Sequence, residues 1–275
     1  MTQSPSHADV IAIETAELEA WRDMYRSVPR AFRQEFGPEL IDIDNVLLTR
    51  CRLIPFVHFN AVLNLGLQSP ATEATLDAII ATYQAAEIQR MTVMHHPFCE
   101  PSTLSDWLRA RGFQARPGWD RVYRFALPSV VAALPDRGEV AFVTAETAAS
   151  WARFLDGWYG LPTSPWLIEL VGRPGWVHAV LVRGGRIVAA RSMFLGTGHT
   201  AWVGVEAPIP GLMAPSYEDD HCLLQSLFSE AARRGAQTFV GDVEAASRAQ
   251  AGPAYDRWNV LGFAVGYHRS HYVRG

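Results

Sequence analysis

The chain has 275 residues, 49% of them hydrophobic and 19% charged, with a formal charge of −4. That balance suits a packed core and excludes a disordered chain, and with no basic surplus to displace phosphate counterions it excludes a nucleic-acid surface. Cys51, Cys99 and Cys222 are odd in number and far apart, which argues for a reducing compartment over a disulfide scaffold. Residues 1–9 are polar and lack a secretory pattern, and no apolar run nears the roughly 20 residues that span a bilayer. A cytoplasmic chain with no membrane partner is expected.

In chain order, Leu18, Trp21, Val28 and Phe32 recur at helical steps, predicting one helix over 15–36. Residues 46–53 and 56–65 read as strands parted by Pro55. A helix start at 69–73 leads into Leu76, Ile79, Ile80 and Tyr83, then a strand at 90–94. Ser102 or Thr103 opens a further helix stopped by Gly112, and 121–127 is a strand. Residues 128–138, with their Pro, Asp, Arg and Gly, form a linker. Beyond it, Thr144-Ala145-Glu146 leads a helix through Trp151, Phe154, Leu155 and Trp158. Strands follow at 178–182, 186–194 and 200–205, the first two joined by a Gly184-Gly185 hairpin turn. After the proline-containing loop 206–216 come a helix over 219–234 stopped by Gly235, a strand at 238–243, a short helix at 253–261 and a strand at 265–273.

This order repeats. Thr15-Ala16-Glu17 before Trp21 matches Thr144-Ala145-Glu146 before Trp151. The helix and strand around 76–94 match those around 223–243. Gly112-Phe113 with Arg121-Val122-Tyr123-Arg124 matches Gly262-Phe263 with His271-Tyr272-Val273-Arg274. Self-similarity in register points to duplication, with 1–130 and 137–275 as two domains and the first a reduced copy lacking the hairpin.

A half ordered as helix, antiparallel strands, strand–loop–helix, strand, short helix with Gly-Phe and last strand resembles the GNAT acyltransferase superfamily. Trp258-Asn259-Val260-Leu261-Gly262-Phe263 followed by Tyr267-His268-Arg269 is similar to that family's last helix and strand. Phe59-Asn60-Ala61-Val62, Leu65-Gly66-Leu67 and Pro70-Ala71-Thr72 are similar to its tandem members. The resemblance implies an α/β chain (α+β type) of two tandem GNAT-like mixed-sheet domains. It also implies acetyl-CoA as cosubstrate and an amine acceptor, small molecule or peptide. A catalytically reduced GNAT-fold binding or regulatory module that no longer uses CoA stays open beside it.

In a GNAT site two parallel strands splay apart, and the freed backbone groups bind pantetheine as an added strand would. The resemblance puts that role on Val203, Gly204 and Val205, and the pyrophosphate at the helix start near His221 and Cys222. The family's loop is glycine-rich there; this one reads Tyr217-Glu218-Asp219-Asp220-His221-Cys222. An exposed helix end attracts an anion by about 0.3–1 kcal/mol. A carboxylate ~5 Å from a phosphate opposes by ~1 kcal/mol in water and ~3 kcal/mol at an effective dielectric near 20. The acids therefore outweigh the dipole unless they are paired or turned away, although acids also suit the first turn of any helix. The family's acid is often a Tyr one turn before Gly-Phe. Trp258 stands there, so Tyr255 is the candidate acid, with Glu206 the candidate base; a packed phenol and a solvated loop acid are the ordinary readings of the two. His95-His96 with Cys99, and Asp219 to Cys222, are metal-ligand types, but adjacent helical residues diverge by ~100° and no metal is expected.

Overall fold

A computed structural model of the chain describes residues 5–54, 56–125, 139–209, 218–243 and 252–275. The linker expected at 128–138 and most of the loop expected at 206–216 lie outside them. The chain opens with helices α1 (His7–Arg26) and α2 (Arg30–Phe36), not one helix over 15–36. α1 starts early because Ser6 and Asp9 form a capping box, with Ser6 N donating to the Asp9 carboxylate at 2.9 Å and Asp9 N to Ser6 Oγ at 3.2 Å. It stops before Pro29, which has no N–H to continue the ladder and holds its predecessor extended.

Strands β1 (Glu39–Ile43) and β2 (Val46–Arg50) follow as a hairpin. Its turn residues Asp44 and Asn45 take φ values of 48° and 68°, the primed-turn geometry those residue types tolerate. The strand expected over 56–65 shrinks to a 3₁₀ turn (Val57–Asn60) and a short β3 (Ala61–Leu63). The cause is Asn60, whose amide bonds both the N–H and the C=O of Cys51 at 2.9 Å and curls the chain back. Next come α3 (Glu73–Ala85), β4 (Met91–His95), α4 (Leu104–Ala110) and β5 (Gln114–Phe125). The second half runs β6 (Glu139–Phe142), α5 (Ala148–Tyr159), α6 (Ser164–Leu167), β7 (Trp176–Arg183), β8 (Arg186–Leu195) and β9 (Thr200–Ala207). It closes with α7 (Glu218–Arg233), β10 (Thr238–Val243), α8 (Gly252–Asn259) and β11 (Ala264–Arg274). Thr15-Ala16-Glu17 lies inside α1, whereas Thr144-Ala145-Glu146 precedes α5, so that sequence match has no structural counterpart. The other two matches hold as element order, α3–β4–α4–β5 against α7–β10–α8–β11.

All these strands join one mixed sheet in the order β1-β2-β3-β4-β11-β5-β10-β9-β8-β7-β6. β3 with β4, and β9 with β10, run parallel; the other pairs are antiparallel. The last strand of each half is exchanged. β11 pairs with β4 of the first half, β5 pairs with β10 of the second, and the two exchanged strands pair with each other. Their closest approach needs glycine at 118, where a Cβ would lie 1.8 Å from Arg269 O.

One face of the sheet carries a core that crosses both halves, drawing residues from α1, α2, α5 and α6. The other face carries two cores, one under α3 and α4 and one under α7 and α8. α1 is tied to the second half: Asp23 accepts from Arg173 at 2.6 and 2.8 Å and from Trp176 Nε1 at 2.9 Å, and Met24 O accepts from Trp166 Nε1 at 2.7 Å. Under the middle of the sheet Arg121 and Arg269 face Glu14, Glu17 and Asp242, all buried or nearly so. Burial opposes ionisation of Glu14, yet Arg121 and Arg269 hold its pKa at about 2; burial wins at Asp242 and pushes it to about 6. No helix among the described residues is long and apolar enough to cross a membrane.

Candidate active site

β9 and β10 pair only from Thr200–Trp202 to Thr238–Val240, although β9 continues to Ala207 and β10 to Val243. Beyond that register the two parallel strands part. The cause lies in β9, whose pairing with β8 shifts between Gly204 and Ala207, a bulge that bends the strand. Val205 sits in it at φ 54°, a backbone region costly for a β-branched side chain. Gly204 is required because a Cβ there would meet the Trp202 ring at 1.9 Å. Val203, Gly204 and Val205 thus stand together where the strands diverge. The cleft between them is lined by Glu206 from β9, Asp242 and Val243 from β10, and Ala254, Arg257 and Trp258 from α8.

Two arginines organise the charge at this end. Arg191 Nε lies 3.1 Å from the Glu206 carboxylate and 2.5 Å from Asp220, and Arg257 pairs with Glu206 and, at 2.6 Å, with Asp220. Burial disfavours the charge on Glu206, but Arg257 and Arg191 outweigh it and pull its pKa down. For Asp220 burial prevails and its pKa is raised. A carboxylate held like Glu206 is a weak base, and its geometry fits the holding of Arg191 and Arg257 better than proton abstraction. Asp219 is paired with Arg183, Oδ1 to Nη2 at 2.5 Å. The side chains of Asp219 and Asp220 are therefore matched by cations, so these two acids no longer oppose an anion as bare charges.

The remaining expected residues lie as follows. His221 is half-buried with Nε2 2.7 Å from the Gln225 amide nitrogen, and Cys222 is buried one turn into α7. Tyr255, on α8, is part-buried beside the second-half core, and its hydroxyl donates to Asp120 Oδ2. Trp258, at the position of the family's Tyr, is core: it packs on Phe263 and over Gly241, and its Nε1 donates to Asp242 O at 3.0 Å.

Four residues at this end escaped the sequence reading. Arg191 and Arg257 look like ordinary strand and helix charges in the sequence, and only the fold brings them onto Asp220. Asp120 and His268 are 148 residues apart. No local signal in the sequence marks them, since only the pairing of β5 with β11 sets them side by side.

No protein-family model and no curated protein matches the sequence. Solved structures do match in fold. A GCN5-related N-acetyltransferase from Kribbella flavida is 14% identical, with a TM-score of 0.59 over 95% of this chain and 94% of that one. An acetyltransferase of the GNAT family from Colwellia psychrerythraea gives 13% identity and a TM-score of 0.51 over 95% and 97%. A conserved protein of unknown function from Staphylococcus epidermidis gives 9% and 0.54 over 88% and 96%. The chain has the α/β fold of GNAT acetyltransferases along nearly its whole length.

Proposed function

We propose that the second half of this chain is an N-acyltransferase that takes an acyl group, acetyl in the simplest case, from CoA to an amine. The observation that carries this is the parting of β9 from β10 at the Val205 bulge, opposite an α7 start whose Asp219 and Asp220 are paired with arginines. In this reading Val203, Gly204 and Val205 bind pantetheine through their backbone, as a sheet edge binds an added strand. The start of α7, at His221 and Cys222, faces the pyrophosphate. Tyr255 exchanges protons with the reacting groups, and Glu206 holds Arg191 and Arg257. Residues 1–130 and 137–275 are the two copies, the first supplying a strand to the second. The acceptor is a small-molecule or peptide amine.

The alternative is a fold that binds without catalysis, and Trp258 in the place of the family's acid favours it. Thiol release from acetyl-CoA with a set of primary amines separates the two. Turnover that drops about a hundredfold in Tyr255→Phe supports the enzyme. Acetyl-CoA binding without thiol release for any amine supports the alternative.

A further inference from the structure

Asp120 is 5% exposed on β5, opposite Val243 of β10 on one side and His268 of β11 on the other. Its carboxylate is held at both oxygens. The Tyr255 hydroxyl donates to Oδ2, and His268 Nδ1 lies 2.6 Å from Oδ1, in reach for its N–H to donate. The His268 side chain is half exposed, so phenol, carboxylate and imidazole form a hydrogen-bonded chain from α8 to solvent. The repeat supplies an internal control. Gly112 and Gly262, and Arg121 and His271, are each 150 residues apart. At that offset Tyr255, Asp120 and His268 correspond to Ser105, Ser270 and Gly118. The fold does not demand these three groups, since its other copy has none of them. They lie beside the end of β10, where Asp120 pairs with Val243 of the cleft lining, and the central one arrives on the strand exchanged from the first half.

We infer that Asp120 and His268 are positioning residues for Tyr255 that let its phenol carry a proton from the acceptor amine, an inference that rests on the acyltransferase reading above. As Tyr255 Oη takes a proton from the acceptor's ammonium, the proton already on Oη passes to Asp120 Oδ2, so no tyrosinate builds up. On the return the Oδ2–H bond breaks, that proton goes back to Oη, and Oη gives up the proton it took to the leaving group. Each O–H bond formed is matched by one broken, one proton moves from the ammonium to the leaving thiolate, and the second proton that the nitrogen loses on becoming an amide goes to solvent. His268 keeps the carboxylate aimed by donating to Oδ1. The neighbouring charges are engaged elsewhere. Arg121 and Arg269 turn to the opposite face toward Glu14 and Glu17, Asp242 of β10 pairs with Arg121, and Arg257 of α8 pairs with Glu206 and Asp220. His271, further along β11, is kept neutral by burial.

The test is the ring-nitrogen NMR spectrum of His268 at one pH, which reports whether Nδ1 carries a proton bonded to Asp120, in the full chain and in Asp120→Asn and Tyr255→Phe, with the pH profile of thiol release from acetyl-CoA and putrescine. Asp120→Asn should shift the His268 Nδ1 resonance, because the charged acceptor of its N–H is lost, and Tyr255→Phe should shift it by less. Asp120→Asn should also cut kcat at least tenfold and move the acid limb of the profile, with KM for acetyl-CoA unchanged. His268→Gln, whose amide can still donate to Oδ1, should keep more activity than His268→Ala. If Asp120→Asn does not fold, Tyr255→Phe and His268→Gln carry the same readouts. A His268 Nδ1 resonance unchanged in Asp120→Asn overturns the inference, as does a wild-type profile in that variant. A wild-type chain that releases no thiol and binds no acetyl-CoA overturns the acyltransferase reading instead. The ring-nitrogen spectra still decide whether the three groups act as one unit.

Discussion

Trp258 and Tyr255 sit one turn apart on α8 and answer to different demands. Trp258 is 2% exposed and fills the space that glycine at 241 leaves, whereas Tyr255 spends its hydroxyl on Asp120. Trp258→Ala should therefore cost ~3–5 kcal/mol, and Tyr255→Phe, which deletes one hydrogen bond to a charged group and no bulk, roughly 1.5–3 kcal/mol at most. Urea midpoints of the two variants check the order, and equal midpoints would remove Trp258 from the core. At this scale the sequence was legible where chemistry is local. Tyr255 and Val203 to Val205 were expected from the resemblance to the GNAT family, and they stand on α8 and at the β9 bulge. Asp120, His268, Arg191 and Arg257 were not, because a charged residue's partner is set by strand order, which periodicity does not encode.

Strand exchange explains why the elements depend on one another. Arg121 of β5 reaches Glu14 and Glu17 of α1 and Asp242 of β10, so one buried guanidinium ties three elements drawn from both halves. Arg121→Ala leaves the carboxylates facing Arg269 alone, and breaking a buried pair from one side costs about 3–5 kcal/mol. The loss should appear in a single unfolding transition monitored by near-UV and far-UV circular dichroism alike. Two separated transitions would mean that the halves unfold independently. Helix and strand types were readable in most segments because apolar periods of 3.6 and 2 are strong there, as in α7 and β9. The failures have local causes. Pro29 splits the first helix, Asp44-Asn45 turns a hairpin whose first strand is short and half-exposed, and Asn60 curls a segment that reads as strand. The exchange itself was out of reach, since β5 and β11 each read as the last strand of their own half.

For the whole molecule, acid is the sharpest stress. Burial holds His96 and His178 neutral with pKa values of about 4, and His271 at about 3, against an ordinary value of 6.5. A depressed folded pKa means stability that is full above pH 6.5 and is lost as pH falls toward 4, on the order of 3 kcal/mol per histidine. Asp242, raised to about 6 from 3.8, works the other way and regains stability as pH falls through 6, but it is one group against three. Glu14, held at about 2, adds its own loss below pH 4.5. Unfolding free energy should therefore be nearly level from pH 7 to 9 and fall by several kcal/mol between pH 6.5 and 4. Denaturant titrations at fixed temperature check this, and a level curve down to pH 4.5 would show that these histidines are not buried as described.

The proposed acyl-CoA site rests on the GNAT-type fold, the parted strands β9 and β10 and the arginine-paired Asp219 and Asp220 of α7. Acetyl-CoA binding is therefore the most direct measurement, and differential scanning calorimetry with increasing acetyl-CoA reads it without any knowledge of the acceptor. At about 100 times its Kd the ligand should stabilise the chain by ~2.7 kcal/mol, which for a protein of this size raises Tm by roughly 5–10 °C. A Tm left unmoved by acetyl-CoA at roughly millimolar concentration would contradict an acyl-CoA site in this cleft.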